Sequence, residues 1–108
     1  MFSKELHKAQ CALEEFLRIH PQIPSQTIRC FIAVAGHPGI TNHQVQRNLK
    51  LGQSSASRNI SILTKTRYDG EPGLDLVDQV YEGDGRQLGL YLTPKGQRLA
   101  NRVEEALQ

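Results

Sequence analysis

The middle of this sequence lacks acid. From position 16 to position 68, 53 residues in a row, there is neither Asp nor Glu, although charged residues make up 22% of the chain. The same stretch carries seven cations, Arg18, Arg29, Arg47, Lys50, Arg58, Lys65 and Arg67, together with His20, His37 and His43. The net charge of only +2 hides this, because the acids gather elsewhere, mainly at Glu5, Glu14 and Glu15 and from Asp69 to Asp84. A polyanionic partner is a physical reason for such a pattern, since each cation near a phosphate releases condensed counterions and adds affinity. On charge alone, a solvated basic surface without a partner is the alternative.

Other absences narrow the class. No apolar run approaches the roughly 18–20 residues that a membrane span needs. The first ten residues, MFSKELHKAQ, are polar and turn amphipathic, unlike a secretory signal, so the expected location is the cytoplasm. There are two cysteines, Cys11 and Cys30, in no metal-like spacing. They suit a reduced intracellular protein, with a single disulfide or a redox switch left open. His7 and Cys11 share a helix face, but two ligands fall short of a metal site. Neither a phosphate-cradling glycine loop nor a Ser-His-Asp order is found, and no paired carboxylates have a plausible cleft. The expectation is therefore a protein that is not an enzyme and carries no cofactor or metal.

What is present reads as one domain over 1–108, α+β and mostly α. Residues 3–19 form an amphipathic helix with Ser3 as cap and Leu6, Leu13, Phe16 and Leu17 at three- and four-residue spacing. Pro21 stops it. A second helix, capped by Ser25, runs to Gly36 and is apolar around much of its circumference, as a central core helix is. Thr41 or Asn42 caps a short third helix containing Val45 and Leu49. After the turn Leu51-Gly52-Gln53, a fourth helix spans about 54–65, with Ala56, Ile60 and Leu63 facing inward. Two short helices joined by a glycine-containing turn make a helix-turn-helix. A loop, 66–73, leads into a two-stranded hairpin over 76–92 with an Asp84-Gly85 turn. Thr93-Pro94 then launches a helix over 94–107.

Helix, helix, helix-turn-helix, two-stranded wing, helix is the winged-helix plan. The stretch ITNHQVQRNLKLGQSSASRNISIL (40–63) and the wing exit DGRQLGLYLTPKG (84–96) resemble the MarR family of bacterial regulators. The second carries a D-x-R … L-T-x-x-G pattern. The resemblance covers roughly 28–107. It implies a dimeric regulator of double-stranded DNA, with terminal helices 3–19 and 94–107 pairing across a two-fold axis. Two recognition helices one DNA turn apart would then read a palindrome. The chain departs from the family at Gln46, where a small residue is usual, and in the longer loop 66–73. No residue set points to a small-molecule effector.

The residues of the fourth helix support the same function independently. Gln53, Ser54, Ser55, Ser57, Arg58 and Ser61 fall on outward or N-terminal positions. Four serines are a poor choice for a helix surface. They become useful where a helix lies deep in a major groove and hydrogen-bonds bases or phosphates. Arg58 suits a phosphate or a bidentate pair with guanine. Arg86, beyond the hairpin turn, is placed to enter a minor groove or, with Asp84, to brace the wing. Arg47, Lys50, Lys65 and Arg67 are candidate phosphate clamps, whereas Thr93–Gly96 reads as a structural junction. The alternative function is a winged-helix module for protein or single-stranded nucleic acid, as in replication or plasmid and phage maintenance. Stacking aromatics would favour it, and Tyr68, Tyr81 and Tyr91 do not cluster on the basic segment in the sequence.

Overall fold

A computed structural model describes residues 3–82 and 87–108, and its helices begin where local cap chemistry permits. The Ser3 hydroxyl accepts from the Leu6 amide (3.2 Å) and opens α1 (Lys4–Ile19). The second helix, α2 (Ser25–Gly36), differs from expectation at its start. Pro24, not Ser25, is the N-cap, because its carbonyl receives the amides of Thr27 and Ile28. Thr41 caps α3 (Asn42–Leu49) in a full capping box with Gln44.

The link from α3 to α4 (Gln53–Leu63) is tighter than the sequence suggests. Lys50 takes the left-handed conformation (φ 56°) that ends α3, while Gly52 is extended and serves as N-cap of α4. Arg29 reaches across from α2 to donate to the Leu49 carbonyl at 2.9 Å, satisfying a terminal acceptor of α3. The fourth helix ends at Leu63, two residues short of the expected 65, because the chain folds back on its last turn. The amides of Leu74, Leu76, Asp75 and Gly73 donate to the carbonyls of Ile62, Leu63, Thr64 and Lys65. A Cβ on Gly73 would collide with the Thr64 carbonyl, so the close return requires glycine there.

The wing is β2 (Val77–Glu82) paired antiparallel with β3 (Gln87–Leu92), in the register Val77↔Leu92 to Glu82↔Gln87. The expected turn, with Asp84, Gly85 and Arg86, lies outside the described residues. A short strand β1 (Ile40–Thr41), not foreseen from the sequence, pairs with the other edge of β3, giving a three-stranded sheet of order β1-β3-β2. Two residues are too few to show alternation, so only the pairing reveals them. Helix α5 (Pro94–Ala106) follows, with Thr93 as N-cap.

The core joins every layer. Phe16 of α1 meets Phe31 of α2 edge-to-face at 5.6 Å between ring centres. Val34, Val45, Ile60, Leu63, Leu76, Leu90 and Leu99 are buried with them. Helices α1 and α5 pack together, and Glu15 accepts from Arg102 at 3.1 Å. Cys11 and Cys30 are both free thiols, and burial pushes the Cys30 thiol up despite the opposing charge of Arg29. Among the described residues no helix is long and apolar enough to cross a membrane.

Where wing and last helix meet, Thr93 donates its amide to the Leu76 carbonyl (3.0 Å) and its hydroxyl to the Asp75 carbonyl (2.7 Å). The same hydroxyl accepts from the Gly96 amide. Gly96 lies so close to Leu76 that an added Cβ would meet its carbonyl oxygen. Gly96→Ala is accordingly expected to cost about 1–3 kcal/mol, read as a lowered midpoint in urea unfolding. An unchanged midpoint would show that the junction can relax.

Candidate nucleic-acid interface

The site is built on α4, whose sides do different work. Ala56, Ile60 and Leu63 point into the core. A second side turns to α2 through polar contacts. Buried Asn59 accepts from the Thr27 hydroxyl (2.7 Å) and donates to the Ser55 carbonyl and the Gln26 side chain. The Ser55 hydroxyl also donates to Gln26 (2.8 Å). This network pins the helix to the core scaffold in one rotation, because leaving any buried member unpaired is costly.

The third side faces solvent. Gln53, Ser54, Ser57 and Arg58 are exposed there. No side chain caps the first turn of α4, and that turn contains no acid, so its amides and positive pole face outward. Ser57 is oriented from α3: Gln46 donates to Asn42 (2.9 Å), and Asn42 donates to the Ser57 oxygen (3.2 Å). That leaves the Ser57 hydroxyl proton to point elsewhere. Asn42 thus bridges the two helices, and Gln46 supports it from the next turn of α3.

The other expected site residues divide. Arg47 on α3, Lys50 at its end and Lys65 just past α4 are all exposed. Together with Arg58, they make no ion pair among the described residues. Arg67 turns inward. It pairs with Asp69 at 3.0 Å and lines a cavity of about 230 Å³ with His20, Ile23 and Leu74. Ser55 and Ser61 are half-buried and have partners within the fold, Ser55 donating to Gln26 and Ser61 accepting from the Tyr68 amide at 2.6 Å. Arg86 lies outside the described residues.

One tyrosine expected to stand apart from the basic segment lies against it. Tyr68 does adjoin the basic face: with Ser54, Ser57 and Arg58 it lines a shallow concavity of about 300 Å³. Ser54, Ser57 and Arg58 are ten or more positions away from it, and the loop's fold-back, tied by the Tyr68 amide to Ser61, brings them together. The other tyrosines behave differently. Tyr91 donates to Glu82 within the wing, and Tyr81 is exposed near its end. Among the described residues no three His, Cys, Asp or Glu side chains gather as a metal site would require, although His7 and Cys11 lie 3.6 Å apart.

No family model and no curated protein matches this sequence. Solved structures do match the fold. RV1404 from Mycobacterium tuberculosis superposes with a TM-score of 0.72 at 18% identity, over 92% of this chain and 63% of that one. A MarR transcriptional regulator from Methanosarcina mazei Go1 gives 0.65 at 16%, over 94% and 64%. The PcaV transcriptional regulator from Streptomyces coelicolor gives 0.63 at 22%, over 93% and 69%. This chain therefore spans a little under two thirds of the length of the first two. The fold is the winged helix of MarR-type regulators.

The α2–α4 network has a measurable consequence. Asn59→Ala leaves the Thr27 hydroxyl buried without its acceptor, and about 2–3 kcal/mol of stability should be lost in urea unfolding. A loss below about 0.5 kcal/mol would mean that the network does not hold α4 in place.

Proposed function

We propose that this protein is a sequence-specific regulator of transcription that binds double-stranded DNA as a homodimer. The observation carrying this reading is the outward side of α4, which combines Ser54, Ser57 and Arg58 with an uncapped, acid-free N-terminus on a winged-helix scaffold. A helix 11 residues long with small hydroxyls on one side suits the major groove, where a bulky surface would hold the backbones apart. Arg58 takes a guanine edge or a phosphate. Arg47, Lys50 and Lys65 flank it as phosphate contacts, and the wing, with Arg86, lies along the minor groove. Arg67, Ser55 and Ser61 act as supports for this surface. Repression needs no more than occupancy of such a site, and repression is the role we assign.

Dimerisation is supported by apolar side chains that the protomer leaves uncovered. Ala12, Phe16 and Leu99 bury the inner stripes of α1 and α5, while Leu6, Leu13, Ile32 and Leu107 stay exposed. A two-fold partner on this side would cover them and set two α4 helices toward successive major-groove faces. Light scattering at micromolar concentration should return twice the 12.1 kDa protomer mass. A monomer mass would remove the terminal helices from the assembly.

Fluorescence anisotropy against the duplex upstream of the protein's own gene, a scrambled duplex and a single strand tests the central claim. Tight binding to the first, weaker binding to the second and a steep loss between two salt concentrations are expected. Arg58→Ala should weaken the specific complex about tenfold or more with the fold intact. Preference for the single strand, or no duplex binding at low salt, would replace this reading with that of an assembly module.

A further inference from the structure

The loop between α4 and β2 is held with more structure than a connector requires. Thr66 and Pro72 form a β-bridge across it, and the Arg67 amide donates to the Glu71 carbonyl at 2.8 Å. The Gly70 amide closes a turn onto Arg67, with Gly70 at φ 84°. Asp69 accepts from the Arg67 guanidinium and from the Glu71 amide. Ser61 ties the loop to α4 through the Tyr68 amide. At the tip of this braced hairpin the Tyr68 ring is 69% exposed, beside Ser54, Ser57 and Arg58.

A lone exposed aromatic is unremarkable. Here the backbone that carries the ring is held next to the side chains proposed to enter the groove, and the ring lines a concavity with serine hydroxyls and the arginine. We infer that Tyr68 is a specificity-determining residue, packing its ring against the 5-methyl group of a thymine next to the base or phosphate that Arg58 takes. This rests on the duplex-binding reading above. Base edges are the target because the loop tip offers a phosphate no added cation, Arg67 being paired with Asp69, and Glu71 three residues on disfavours an approach along the phosphate chain. A thymine methyl is the apolar feature that the major groove offers, and an aromatic ring is a fitting contact for it.

The test uses a duplex selected by the wild-type protein from a randomised library, its scrambled counterpart, and versions with deoxyuridine replacing single thymines. Tyr68→Ala should bind the selected duplex about tenfold more weakly and the scrambled one unchanged, while Tyr68→Phe stays within about twofold of wild type. At one thymine, loss of the methyl should cost the wild type about fivefold and Tyr68→Ala almost nothing, the coupling expected of a direct contact. Equal losses on selected and scrambled duplexes would assign Tyr68 to the backbone. A Tyr68→Phe defect as large as that of Tyr68→Ala would assign the role to the hydroxyl. Either result, or wild-type affinity in Tyr68→Ala, overturns the inference while leaving duplex binding intact. A wild-type protein that selects no duplex overturns both.

Discussion

The return of the chain along the last turn of α4 is the constraint on which the rest depends. A helix ends with carbonyls that have no partner within it, and here a following segment supplies them. Leu76 donates to Leu63 and accepts from Thr93, so one residue joins α4, the wing and α5. Lys95 adds a contact from its ammonium to the Leu74 carbonyl at 2.8 Å. Gly96 lets the N-terminus of α5 lie against Leu76. The wing and the exposed side of α4 are therefore held in a common frame by backbone bonds, which long surface side chains cannot shift. The L-T-x-x-G pattern at 92–96 is the sequence trace of this junction: threonine for its two-way hydroxyl, glycine for the close approach.

That division explains what could be read in advance. Five helices and the wing carry strong local signals, namely caps at Ser3, Thr41 and Thr93, apolar spacing at three and four, and proline stops. Their boundaries fell within a residue or two, except where a tertiary contact overruled them. Helix α4 stops at Leu63 because residues 73–76 claim its carbonyls, and nothing in Thr64 or Lys65 announces that. Pro24 displaces Ser25 as cap because the fixed φ of proline already sets the helix entry. Strand β1 exists only by virtue of β3.

The candidate site was legible to a lesser degree, for the same reason. Outward position on a helical wheel marks Ser54, Ser57 and Arg58, and all three are exposed. It equally marks Ser55 and Ser61, which are half-buried: Ser55 donates to Gln26, 29 residues away on α2, and Ser61 accepts from the Tyr68 amide seven residues ahead in the loop. Arg67 counts as a cation in the sequence, yet it is neutralised two residues later by Asp69. Charge runs report composition; pairing, which decides how much field reaches a partner, is a property of the fold. Tyr68 was set aside with the other tyrosines because an aromatic in a loop has no periodicity to reveal its side.

These positions also bear on how the protein would discriminate sequences. Rigid placement matters more than contact number when a protein must reject near matches, because a loosely held side chain can adjust to the wrong base. Asn59 ties α4 to α2, Asn42 donates to Ser57, and the braced loop holds the backbone at Tyr68. Under the proposed function the exposed face is thus braced from three neighbouring segments. Arg47, Lys50 and Lys65 have no such bracing among the described residues, and under the proposed function they need none, since attraction to phosphate tolerates many geometries. On that reading affinity and specificity reside in structurally different kinds of residue: exposed cations around α4, and small groups held by hydrogen bonds on it.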